Sequence, residues 1–156
     1  MREKELLLVQ LEQAFQKKSW HGTNLTGSIR GLKLKTAAFR PGKDRNNIWE
    51  LIVHCAYWKY SVFRRLEELP AGSFPLKGSN FFRRPEEKTE KALKADIKLL
   101  KNCHKDLLDA VARFSQRRFD DVPKGSKTTY RDLIVGVGAH DLYHAGQIQL
   151  IKRLAG

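Results

Sequence analysis

The sequence predicts an all-α fold, a four-helix bundle, on three observations. Apolar residues recur at steps of three and four through four long segments. Glycine and proline punctuate the stretches between those segments. No stretch alternates apolar and polar residues as a half-buried strand would. Such a bundle forms its ligand sites between facing helices.

The first segment runs from about Arg2 to Lys18, with Leu7, Leu8, Leu11, Ala14 and Phe15 as its stripe. The second runs from about Asn47 to Leu69 through Ile48, Leu51, Cys55, Trp58, Val62 and Leu66. Asn47 three residues before Glu50 is a capping-box start, and Pro70 ends the segment. The third is expected to begin at Pro85, a favoured first-turn residue, with Glu86 and Glu87 at the positive end of the helix dipole. Leu93, Ile97, Leu100, Leu107, Val111 and Phe114 carry its seam to about Arg118. The fourth runs from Thr128 or Thr129, a threonine cap, to Leu154. The first two connections are long. The first is expected to hold short helical turns near Leu25–Arg30 and Leu34–Ala38, and both have the length of crossovers.

The chain has 156 residues and is read as one domain, residues 1–156. Its 41% hydrophobic and 30% charged content is that of an ordinary globular protein. No apolar run has the length of a membrane span, and Met1-Arg2-Glu3-Lys4-Glu5 does not read as a signal peptide, so a cytoplasmic protein is expected. Cys55 and Cys103 are expected to be reduced, half-buried thiols, since no Cys-x-x-Cys spacing is present. The net charge of +13 fits an acidic partner or anionic substrates. Lys94, Lys98, Lys101 and Lys105 make a basic stripe on the third segment. Glu87, Glu90, Asp96, Asp106 and Asp109 interrupt that segment, and no nucleic-acid motif accompanies the charge, so a solvated face is the preferred reading.

The most informative stretch is Ala139-His140-Asp141-Leu142-Tyr143-His144-Ala145-Gly146-Gln147. Residues four apart lie one above the other on a helix face. His140 and His144 fall inside the apolar stripe of Leu133, Val137, Ile148 and Ile151, where leucine would serve stability better. His54 lies at the edge of the second segment's stripe. Three imidazoles from two helices suit a metal held with an open position. Core histidines bonded to carbonyls or water are the plainer alternative. Zinc is the preferred ion, with nickel, iron or cobalt tolerated. Such an ion lowers the pKa of bound water or of a thiol.

Glu50, one turn before His54, is a candidate catalytic carboxylate that orients an imidazole or supplies a fourth ligand; the helix cap is its preferred role. Gln147, one turn after His144, is the second catalytic candidate, expected on a bound water or substrate. Tyr57 and Tyr143 are candidate substrate-binding residues, and these four are expected to line a pocket at one end of the bundle. His104 is expected at the core boundary and His21 near the bundle's end.

Trp20-His21-Gly22, Phe39-Arg40-Pro41-Gly42, the run from Asn47 to His54, and His140 to Ile148 resemble, in that order, the pattern of the DinB/YfiT-like superfamily. The resemblance implies a four-helix bundle with a long first crossover. It also implies a metal held by one histidine of the second long helix and two of the fourth, which carry over onto His54, His140 and His144. The family includes S-transferases and isomerases that use low-molecular-weight thiols such as bacillithiol or mycothiol, and members described as metal-dependent hydrolases. The expected partners are therefore a small-molecule substrate and a low-molecular-weight thiol as cosubstrate; a homodimer is one option, the oligomeric state being left open. No membrane partner is expected. A basic nucleic-acid-binding module and a non-catalytic metal-binding bundle are the competing readings.

Overall fold

A computed structural model describes residues 2–156. The described residues form six α-helices and one short 3-10 turn, with no strand. The helices are α1 (Glu3–Phe15), α2 (Leu25–Ser28), α3 (Leu34–Ala38), α4 (Ile48–Leu66), α5 (Glu90–Arg113) and α6 (Tyr130–Leu154). The four long ones build the expected bundle, and α2 and α3 are the two short turns of the first connection.

Packing gives the order around the bundle. α4 packs on both α5 and α6, and α1 packs on both α6 and α5. The consecutive long helices α1 and α4 are therefore diagonal, and the first connection crosses the bundle between them. Direction follows from two apolar clusters. Phe15, the α4 residues from Ile48 to Tyr60, Leu93 to Cys103 of α5, and Ala145 to Ile151 of α6 share one. Leu7 and Leu11, Val62 and Leu66, Leu107 to Val111, and Tyr130 to Val137 share the other. α4 and α5 thus run the same way, and α1 and α6 run opposite to them. The topology is up-down-down-up.

Two parallel neighbours need a connection that returns the full length of the bundle, and residues 67–89 supply it. This return segment lies antiparallel along α4. Its Gly72 and Ser73 N–H groups donate to the Tyr60 hydroxyl (3.2 and 3.1 Å). Further on, Trp58 Nε1 donates to Asn80 Oδ1 (3.0 Å), and Asn47 Nδ2 donates to the Arg84 carbonyl (2.8 Å).

Some helix ends differ from the sequence reading. α1 stops at Phe15, not Lys18, because the Lys17 N–H returns to Glu12 and the Lys17 carbonyl accepts from Asn24. α4 stops at Leu66, where Glu68 turns into the left-handed region (φ 55°) and the Leu69 N–H closes on Arg64. α5 begins at Glu90, not Pro85. Thr89 accepts from the Ala92 N–H as its cap, and Arg84 is tied to α4 and by its side chain to Asp96. Thr129 is the cap of α6 and accepts from Asp132.

Between the clusters lies a polar layer. The Lys59 and Asp141 side chains are both fully buried, 2.5 Å apart. Lys59 Nζ also stands 4.8 Å above the Phe15 ring. His104 stacks on the other partner of that contact, with ring centroids 3.7 Å apart. It is core, not boundary, and neither ring nitrogen has a partner. Gly138 packs against Gln10, whose amide group occupies the space a Cβ there would fill. Cys55 and Cys103 are buried free thiols, and burial pushes Cys103 up to about 12. Among the described residues, no helix is long and apolar enough to cross a membrane.

Candidate metal centre

His54 comes from the middle of α4, and His140 and His144 from one face of α6, where these helices pack together. The Nε2 atoms of His54 and His140 are 2.9 Å apart, and those of His140 and His144 are 3.0 Å apart. His54 and His144 are buried and His140 half-buried. The three residues satisfy the geometric requirement for holding one ion.

Hydrogen bonding fixes two of the tautomers. His54 Nδ1 lies 2.8 Å from the Asn80 carbonyl, which can only accept, so Nδ1 carries the proton. His144 Nδ1 donates to Gln147 Oε1 at 2.6 Å. Both rings therefore present Nε2 lone pairs to His140. One proton on His140 Nε2 can satisfy only one of the two contacts, whereas a cation accepts all three lone pairs. Tetrahedral ligation with bonds of ~2.0–2.1 Å separates donor nitrogens by about 3.3 Å. Outward movement of a few tenths of an ångström would admit an ion, so the residues fit one. Only His140 lacks an orienting partner at Nδ1. Cys55 and Asp141 each bring a donor atom within 4.8 Å of a His140 ring nitrogen.

The electrostatics agree. Burial, together with the neighbouring imidazoles, holds His140 down to about 3; burial, with a smaller effect of His144, holds His54 down to about 4. Burial lowers His144 as well. The three rings are neutral at physiological pH, the state that ligates metal.

Aromatic groups wall the cluster. Phe81 stacks on His54, with centroids 3.9 Å apart and planes within 3°. Trp58 stands edge-on to His54 and near His140, both centroid distances being 6.5 Å. Tyr143 lies edge-on to His144 at 5.1 Å and is largely exposed.

The other candidates fall differently. Gln147, expected on a bound water or substrate, instead accepts from His144, because Nδ1 is turned toward it. Glu50 is not among the converging donors. One oxygen accepts from Arg40 (2.9 Å) and the Asn47 N–H (3.1 Å), the other from Arg40 (2.7 Å) and the Arg84 N–H (3.3 Å). That leaves it the cap of α4 and the knot joining both long connections, with no oxygen facing the imidazoles. Tyr57 packs among Phe74, Phe82 and Tyr60, and meets Trp58 edge-on at 5.5 Å. Glu50 and Gln147 line separate cavities, and the histidines lie where α4 packs on α6. His21 is exposed and bonds Ser19.

Sequence reasoning missed Asn80, Phe81, Trp58 and the Lys59–Asp141 pair. Asn80 and Phe81 lie in an irregular segment that has no periodicity to read. Lys59 was legible, since its position continues the buried face of α4 where a cation needs a partner.

The family model described as the DinB superfamily matches residues 19–148. Comparison with curated proteins and with solved structures finds no match. The matched span holds α2 to α5, all three histidines and the return segment that orients His54. The chain belongs to the DinB superfamily.

Proposed function

We propose that this protein is a metal-dependent enzyme whose ion is held by His54, His140 and His144, and which transfers a thiol to an electrophilic small molecule. Hydrolysis at the same position is the alternative. The observation that carries the reading is the meeting of three Nε2 atoms, two of them on rings whose tautomers are set by Asn80 and Gln147. A structural zinc site is normally closed by four protein ligands, and this one offers three. Zinc fits the donor set best; nickel, iron and cobalt are also compatible. When bound, the ion supplies a Lewis-acidic position that lowers the pKa of a thiol or of water.

The chain's own residues do the rest. Asn80 and Gln147 hold two rings in ligating orientation. Phe81 and Trp58 pack against His54, and Tyr143 flanks the entrance. Glu50 acts at a distance, by holding the start of α4.

Elemental analysis of protein purified without a metal-affinity tag, paired with a thiol-conjugation assay, tests the reading. His144→Ala should lose both metal and turnover. Turnover intact without His144 would remove the metal from the chemistry.

A further inference from the structure

Two shallow cavities flank the turn at residues 41–46. One, of about 310 Å³, is lined by Arg40, Lys43, Arg45, Glu50, Phe81 and Arg83 among others. The second, of about 340 Å³, is lined by Leu150 and Gln147 of α6. Asp44, Arg45 and Asn46 belong to both. Each cavity touches the histidine cluster through one residue: Phe81 stacks on His54, and Gln147 bonds His144.

The first cavity is unevenly charged. Arg40 and Glu50 neutralise each other at 2.7 Å. Lys43, Arg45 and Arg83 are exposed and make no ion pair among the described residues; Asp44 is the one remaining acid in the lining. Three unpaired cations around a concavity repel one another unless an anion joins them. The scaffold beneath them is fixed. The Arg45 N–H donates to the Gly42 carbonyl at 3.2 Å, its carbonyl accepts from Arg40, and its stem lies over Gly42. Arg83 sits between buried Phe82 and Arg84, the latter anchored to Asp96 at 2.6 Å. Cations carried on an ordered main chain beside a reactive centre place a bound anion within reach of it.

We propose that Lys43, Arg45 and Arg83 form the anion-binding subsite of this centre. They hold a carboxylate or phosphate of the small-molecule substrate while its reactive end passes Phe81 or Gln147 to the histidines. The inference rests on the enzymatic reading for its purpose, but not for its measurement. The size of the cavities suits a small molecule, and the cations lie apart from the lysine stripe of α5.

Titration calorimetry at low ionic strength tests it on metal-free protein, with succinate and inorganic phosphate as probes and succinamide as the uncharged control. Arg45→Ala/Arg83→Ala should weaken the better-bound anion by about tenfold or more, the scale of a lost charge-assisted hydrogen bond. Lys94→Ala/Lys98→Ala should leave it unchanged. The preferred probe tells carboxylate from phosphate. Equal weakening by both double variants would mean attraction by net charge alone and would overturn the subsite, as would an unaltered affinity or equal binding of succinamide. Cobalt-loaded protein then locates the site: the bound anion's nuclei should relax faster in the wild type than in the Arg45/Arg83 variant. Failure to take up cobalt would sink the metal reading and leave the calorimetric result standing. Normal uptake with no relaxation of a bound anion would place that anion elsewhere and overturn the subsite.

Discussion

Lys59 Nζ lies 2.5 Å from Asp141 Oδ2, neither side chain reaches solvent, and the other carboxylate oxygen has no partner. The pair joins α4 to α6 five residues beyond His54 and one beyond His140, so it sets the height of one helix against the other beside the candidate ligands. Two desolvated charges contribute little net stability, but leaving one of them alone is expensive. Lys59→Met should cost about 3–5 kcal/mol in urea unfolding. Lys59→Met/Asp141→Leu should lose less than the single variant. A double variant no better than the single would show that the pair is not coupled.

His104 makes the opposite prediction. Burial, with the Lys59 charge beside it, holds its imidazole down to about 2, while the unfolded chain titrates near 6.5. Below that ordinary value the unfolded state binds a proton that the folded state refuses. Stability present above pH ~6.5 is therefore lost as pH falls, by up to ~1.4 kcal/mol per pH unit for this group. Its two nitrogens also lack partners. His104→Leu should raise stability at neutral pH by about 1–3 kcal/mol. Its advantage should grow on acidification, as chemical unfolding at several pH values would show. A constant difference across that range would mean His104 does not titrate as its burial demands.

Metal affinity should follow the same logic at the other histidines. His54 and His140, held near 4 and 3, do not release protons on ligation at neutral pH, and His144 is shifted in the same direction. Zinc affinity should hold to lower pH than that of unperturbed imidazoles, which lose it as pH falls through about 6.5. Gln147→Ala frees the His144 ring and should weaken zinc about 10–100-fold, as loss of an orienting hydrogen bond does elsewhere. Competition against a chromophoric chelator measures both. Unchanged affinity in Gln147→Ala would return that residue to a role away from the ligand.

What the sequence made legible was what helical phase can carry. His140 and His144 lie on one face because they are four apart, and Asn47 with Glu50 announced the start of α4. The spacing of Phe15, Leu93 and Ile148 marked core. Relations made by tertiary contact were hidden. Pro85 has the residue type of a helix start, yet Arg84 is taken up by α4 and Asp96, and Thr89 caps instead. Glu50 looked available for chemistry because nothing local shows Arg40 and Arg84 arriving from two different connections. Gln147 has the right phase for the open position, but a 2.6 Å bond to its own helix neighbour claims it. Parallel α4 and α5 follow from connection length alone only as one option among several.

The contact that orients His54 comes from the main chain of Asn80, not from its side chain. A scan by alanine substitution would therefore misfile the residue. The carbonyl survives any substitution, and what the position demands is a left-handed backbone, φ 66°. Glycine should be tolerated there, at the loss of the hydrogen bond from Trp58. A β-branched residue should disturb the imidazole without having touched it. Variation at position 80 among functional variants is thus expected to track backbone preference, and the chemistry of the side chain would say little about why the residue matters.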